Sequence, residues 1–369
     1  MKIIAFYLPQ FHEIEENNNW WGKGFTEWTN VKKSKKVWKE QYQPKEPLDD
    51  NYYDLHNVET LKWQCSLAIK YGLHGFCFYH YWFAGKLLLQ APMEMLLENP
   101  DININYCVSW ANEPWARTWD GKDKEILINQ EYGDQEDWIE HFNYLLPFFM
   151  DNRYIKINNM PVVVIYKSSS IEKCKEMMDC WNKLAIAQGF KSIYFVKTLR
   201  EKKEDTRQLP FCSCVEFEPA RTLHNQGNWL LTYERIRRRV INVINKIFST
   251  DYPLNRIKQF REIANKSIKF KAGSGTFGGV FVGWDNTPRR GNAATYITEA
   301  SKQEFESYLL EKIEITKNYY NTEYLFVNAW NEWCEGTYLE PDKKNKYKYL
   351  EIIQKCLSNY KNGKDKVGL

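Results

Sequence analysis

Eight short apolar runs punctuate this chain, and most of the gaps between them are long enough for a helix. The runs cover residues 3–8, 75–81, 105–110, 161–166, 192–198, 214–218, 279–284 and 324–330. They are rich in Val, Ile, Phe and Tyr and have the length of strands. Helical spacing fills 54–71, 137–150, 170–188, 230–264, 302–319 and 346–359. In the first of these, Leu55, Val58, Leu61, Leu67 and Ala68 fall on one face and Gly72 supplies the stop. Repeated strand-then-helix alternation demands a parallel sheet with helices outside it. Eight strands favour an α/β fold of the closed (β/α)₈ kind over an open doubly wound sheet.

No linker rich in Pro, Gly or Ser divides the chain, so residues 1–369 read as one barrel domain. Two connections are long. Residues 10–53 are dense in Trp, Asn and Lys, and residues 219–278 are expected to carry an inserted helical arm. The short apolar run at 3–8 lacks the length of a secretory signal and reads as the first strand. Nine cysteines without close pairing fit a reducing compartment, which makes the cytoplasm the expected location. A net charge of +4 gives no reason to expect nucleic acid. No run nears the roughly 18 apolar residues of a membrane span. The residues demand no metal and no cofactor.

The polar residues cluster just after the strand ends, which in a barrel converge on one rim where active sites lie. Tyr7 and His12 follow the first run; Tyr79 and His80 belong to the second. Trp110, Asn112, Glu113 and Trp115 close the third, and Glu216 and Glu218 the sixth. Trp284, Asp285, Asn286, Arg289 and Arg290 follow the seventh. The eighth ends in Trp330, Asn331, Glu332, Trp333, Cys334 and Glu335. Carboxylates beside apolar surface hold their protons more tightly. A pair among aromatics suits glycosidic-bond chemistry, and aromatic rings also stack on sugar faces. On a helical turn, residues three apart have Cβ atoms about 5–6 Å apart; retaining enzymes need carboxyl groups about 5–5.5 Å apart. Glu332 and Glu335 are therefore the expected catalytic pair. Tyr7, His12, Tyr79, His80, Trp110, Asn112, Glu113, Glu216, Glu218, Trp284, Asp285, Asn286, Arg289, Trp330 and Asn331 are the expected substrate contacts. Arg289 and Arg290 suit an anionic sugar or the diphosphate of a donor.

The stretches 5–12, 109–121, 284–290 and 328–342 together resemble the WbsX family of bacterial polysaccharide-biosynthesis glycosyltransferases, whose barrel is related to glycoside hydrolase family 99. The resemblance covers nearly the whole chain. It implies a (β/α)₈ barrel and a role in building or processing O-antigen or capsular glycans. Family 99 hydrolases are retaining endo-α-mannosidases whose final strand ends in Asn-Glu-Trp-His-Glu. The resemblance implies that Glu335 is the general acid/base. It implies that Glu332 is the base helping the sugar 2-hydroxyl attack the anomeric carbon. Cys334 stands where the hydrolases have His, which separates this chain from a direct transfer of α-mannosidase activity. The implied partner is an oligo- or polysaccharide, carried on a lipid or supplied by a nucleotide sugar. Two alternatives stay open: an intracellular retaining endo-glycoside hydrolase, and a non-catalytic glycan-binding barrel.

Other patterns carry less. The Gly-rich string at 273–279 precedes a strand, whereas a dinucleotide site follows one. Cys212 and Cys214 lack a second ligand pair for zinc. Residues 235–244 have the composition of a basic amphipathic helix. That is either a solvated helix face or a peripheral contact with an anionic membrane, at its inner face.

Overall fold

The computed structural model describes residues 1–117, 122–200, 205 and 207–365. Its centre is a ring of eight parallel strands: β1 (Lys2–Tyr7), β2 (Gly75–Phe83), β3 (Asn105–Trp110), β4 (Met160–Ile165), β5 (Tyr194–Leu199), β6 (Ser213–Glu216), β7 (Gly278–Phe281) and β8 (Tyr324–Asn328). Hydrogen-bonded neighbours run β6-β5-β4-β3-β2-β1-β8-β7. A parallel bridge between Val215 and Phe277 joins β6 to the start of β7 and closes the ring. There Phe277 N–H donates to the Cys214 carbonyl at 2.7 Å and Glu216 N–H donates to the Phe277 carbonyl at 3.1 Å. This seam needs a glycine: a Cβ on Gly279 would lie 1.9 Å from the Glu216 carbonyl oxygen.

Five of the six residues of β1 and all five of β8 are buried. Strands covered by helices outside and filled by side chains inside read as nearly continuous apolar runs, and that made them visible in sequence. The interior is packed rather than open. The Phe6 ring sits 5.2–5.7 Å from the rings of Tyr79, Phe217 and Phe326.

Helices Val58–Lys70, Gln135–Met150, Cys174–Ala187, Lys302–Glu314 and Lys348–Asp365 form most of the outer layer, as the spacing predicts. Side-chain caps help set their starts. Asn57 accepts from Glu59 N–H, and Ser301 exchanges bonds with Glu304 in a capping box. One helix went unread in the sequence, and one expectation needs correcting. Helix Ala91–Glu98, between β2 and β3, is only eight residues long and escapes a search for long periodic segments. The expected single helix over 230–264 is two, Asn228–Phe248 and Phe260–Lys269. The first stops at Ser249, in the left-handed region at φ 50°. The stretch before the second contains Pro253, which has no N–H to continue a helix.

Candidate functional site

A cavity of about 210 Å³ opens at the carboxyl ends of the strands. Its floor is aromatic: Tyr79 from β2, Tyr166 just after β4 and Phe217 just after β6. Tyr81 and Trp115 continue the wall. The polar lining is Gln10, Glu113, Arg289, Glu332 and Glu335.

Glu332 and Glu335 sit on a tight hairpin after β8. Asn331–Glu332 pairs antiparallel with Thr337–Tyr338, and Trp333–Glu335 forms one 3₁₀ turn between them. Only that single turn is helical, and Glu332 lies at its edge. Gly336 closes it at φ 62°, where an added Cβ would lie 2.8 Å from the Asp285 side chain. Asn331 fastens the hairpin to the end of β1. It accepts from Leu8 N–H at 2.7 Å and donates to the Leu8 carbonyl at 2.9 Å.

Arg289 ties the site together. It donates to Glu335 at 2.6 Å, to Glu27 at 2.6 Å and to Glu332 at 3.4 Å. Three carboxylates against one guanidinium leave a formal charge of −2 if all are ionised. Burial makes that arrangement costly, so at least one proton is expected to stay. Burial, then the charge of Glu335, raises the proton affinity of Glu332 well above the carboxylate range, and Arg289 opposes this. Burial likewise raises Glu27 against the pull of Arg289. For Arg289 burial works against the charge, yet Glu27, Glu335 and Glu332 hold its proton more firmly than usual. Glu332 is deeper, with 7% of its side chain exposed against 22% for Glu335.

Across the cavity Glu113 bonds Lys167 at 3.1 Å and Arg200 at 2.9 Å. Burial alone would raise its proton affinity, but Arg200 and Lys167 outweigh burial and keep it ionised below its ordinary range.

Many of the residues expected at the site are placed elsewhere, each with a physical reason. His80 alternates with Tyr79 along β2, so it points out of the barrel. There its ring nitrogen meets that of His141 at 2.8 Å, and burial pushes its pKa down to about 3. Trp110 donates to the Trp82 carbonyl at 3.3 Å and packs on His141. Tyr7 donates to Gln64, which donates to the buried Glu340. His12 is buried against His56, and burial, then His56, pushes its pKa down to about 4.

Asn112 exchanges two 2.8 Å bonds with the Lys167 backbone and so joins the ends of β3 and β4. Glu216 and Glu218 share a face as expected, but Phe217 between them takes the cavity. Glu216 bonds Arg221, Lys312 and Tyr320; Glu218 accepts from Thr222 and Ser267. Asp285 accepts from Gln41 and Gln43, and Asn286 accepts from Thr295 N–H. These two build the loop that aims Arg289. Trp284 pairs with Ile297 in a short ribbon, Trp330 is wholly buried, and Cys334 lies behind the cavity with its thiol on the Glu27 carbonyl.

Sequence reasoning missed Glu27, Gln10, Tyr81, Tyr166 and Phe217 as members of the site. Glu27 begins a seven-residue helix in the long 10–53 connection, and the Trp-dense composition there was the one available signal. Among the described residues, no group of three or more His, Cys, Asp and Glu is arranged to hold a metal ion.

A (β/α)₈ barrel with buried carboxylates on an aromatic cavity at its carboxyl rim has the form of a carbohydrate-active enzyme. The chain belongs to the family described as glycosyltransferase WbsX, which it matches over residues 3–353. It is 32% identical over 359 residues to the uncharacterised protein WxcX of Xanthomonas campestris pv. campestris, in each of two strains. That match takes in 96% of this chain and 49% of WxcX, so the chain spans about half the length of the curated relatives it matches. Among solved structures it resembles the family 99 endo-α-mannosidase of Bacteroides thetaiotaomicron, in complex with bis-tris-propane. The TM-score is 0.57 at 14% identity, covering 98% of both chains. A glycoside hydrolase-like protein gives a TM-score of 0.60 at 13% identity over 96% of this chain and 93% of that one. At such identities the likeness is one of fold.

Proposed function

We propose that this chain is a retaining glycosyltransferase or transglycosidase that acts on a bacterial surface glycan, O-antigen or capsule, using Glu332 and Glu335. The observation carrying this reading is that one guanidinium, Arg289, bonds both carboxylates on the wall of an aromatic cavity. Aromatic faces take the apolar sides of sugar rings. Two carboxyl groups holding one proton between them can protonate a leaving oxygen and assist displacement.

The two carboxylates divide the work by depth. Glu335, nearer the mouth, protonates the leaving oxygen. Glu332, deeper, assists attack at the anomeric carbon. Burial and the charge of Glu335 favour the protonated form of Glu332, while Glu335 makes the shorter bond to Arg289. The acid/base role of Glu335 requires that the proton of the pair reside on Glu335 when a sugar hydroxyl bonds Glu332. The values of such a pair belong to the pair rather than to either residue. Transfer replaces hydrolysis when a sugar hydroxyl takes the place of water as acceptor.

The whole chain serves as one catalytic barrel, working in the cytoplasm on a glycan carried by a lipid or donated from a nucleotide sugar. A purely glycan-binding barrel would have no use for two carboxylates that share one guanidinium inside the cavity. The test is incubation with the producing organism's surface glycan and its lipid-linked precursors, read by mass spectrometry, beside a Glu335→Gln control. Turnover by wild type alone supports the proposal. Equal turnover by the variant removes it.

A further inference from the structure

Helix Asn228–Phe248, in the connection between β6 and β7, carries an apolar stripe on its outer side. Trp229, Tyr233, Ile236, Val240, Val243 and Ile247 follow one another at alternating spacings of four and three. At 3.6 residues per turn these positions make one straight stripe. All six are more than half exposed, with Trp229 at 76% and Ile247 at 68%, and Phe248 (69%) and Tyr252 (56%) extend the patch past the helix end. Contiguous exposed apolar surface of this kind marks an interaction site.

The rest of the helix explains how it is held. Glu234, its one acidic residue, turns inward to Arg256 at 2.8 Å and Lys258 at 3.2 Å. Arg237 donates to the Leu254 carbonyl. Leu230, Ile241 and Ile244 are half-buried. Arg235, Arg239 and Lys246 remain exposed along one flank of the stripe, four and seven residues apart. The outer surface thus combines an apolar strip with a line of cations, and no acidic side chain of the helix joins it.

We infer that this helix is an interfacial docking element that lies on an anionic lipid bilayer. The stripe enters the boundary between headgroups and acyl chains, and Arg235, Arg239 and Lys246 meet the lipid phosphates. No described helix is long and apolar enough to cross a membrane, so this contact is one of lying on the surface. A second copy of the chain is the poorer occupant. Helices paired along such a stripe are steered by opposite charges on its flanks, and here every exposed charge of the helix itself is a cation.

The arm is rooted next to the site. Leu254 N–H donates to the Asn292 carbonyl at 2.8 Å, and Asn255 donates to the carbonyls of Ala293 and Ala294 at 3.0 and 2.8 Å. Those residues closely follow Arg289, so the arm and the cavity rim share an anchoring loop. The inference rests on the arm alone and would stand if the cavity proved inert.

The test is co-sedimentation of the full chain with phosphatidylcholine vesicles and with phosphatidylcholine–phosphatidylglycerol vesicles, at low and high salt. The expected result is binding to the anionic vesicles that weakens with salt. Arg235→Gln and Arg239→Gln should each weaken it about fivefold. Ile236→Ser with Val243→Ser should weaken it about tenfold or more. All these side chains are exposed, so the variants should melt like wild type, and a melting curve checks this. Equal binding to both vesicle types, or binding to neither, overturns the inference. So does a dimer in solution that the Ile236→Ser/Val243→Ser variant dissolves.

Discussion

Replacing Arg289 by methionine removes the cation that three carboxylates share and keeps most of the side-chain volume. Arg289 is 13% exposed, Glu27 0% and Glu332 7%, so the loss falls on buried charge. Breaking a buried ion pair by removing one partner costs about 3–5 kcal/mol. Glu335, at 22% exposure, finds water and adds little. The cost should depend on pH, and its sign follows from proton binding. Burial, against the pull of Arg289, already raises Glu27 and Glu332 above the unfolded carboxyl value. That unfolded value is about 4.3. Above it the folded protein binds more protons than the unfolded chain, so stability falls as pH rises through the folded values. Without Arg289 the folded values move higher and this window widens. The deficit of the variant should be small near about pH 5 and grow by up to about 1.4 kcal/mol per pH unit for each carboxyl. Urea unfolding of wild type and variant at about pH 5 and about pH 8 measures it. An equal deficit at both pH values, or a larger one in acid, would refute this account of the cluster.

Further outcomes follow from groups outside the cavity. Lys312, wholly buried and 2.6 Å from Glu216, should cost about 3 kcal/mol when changed to Met, while the folded variant keeps its affinity for glycan. A change in glycan affinity instead would return Glu216 to the site. His12, held down to about 4 chiefly by burial, refuses a proton that the unfolded chain accepts below about 6.5. Stability should therefore fall as pH drops through that window, and His12→Asn should flatten the slope by up to about 1.4 kcal/mol per pH unit. An unchanged slope in urea titrations across it would exclude this.

The strands were legible because burial on both faces writes them as unbroken apolar runs, from Ile3 to Val327. The rim was legible too, since polar residues gathered at strand ends. Which of them face the cavity was not. Neighbouring strand residues point to opposite sides, so the choice between Tyr79 and His80, or between Phe217 and the glutamates beside it, turns on a register that no local pattern records. Glu216 illustrates the limit. A carboxylate at a barrel mouth suggests substrate until Lys312, 96 residues later, is seen to reach it. Glu27 was hidden for the converse reason. It lies in a long connection without periodicity, and only the fold carries it 262 residues in sequence to Arg289. Cys334 proved to back the cavity wall, which leaves the pair of carboxylates as the feature by which the proposed chemistry stands or falls.

The most direct test of that chemistry is the fate of a glycosidic bond. The producer's surface glycan and its lipid-linked precursors would be incubated with wild type and with Glu335→Gln. Products would be followed by mass spectrometry and the anomeric configuration by proton NMR. The account predicts glycan remodelled with retained configuration by wild type. It predicts a loss of about a hundredfold or more in a variant that melts normally. Inverted product, or undiminished turnover by Glu335→Gln, would contradict it.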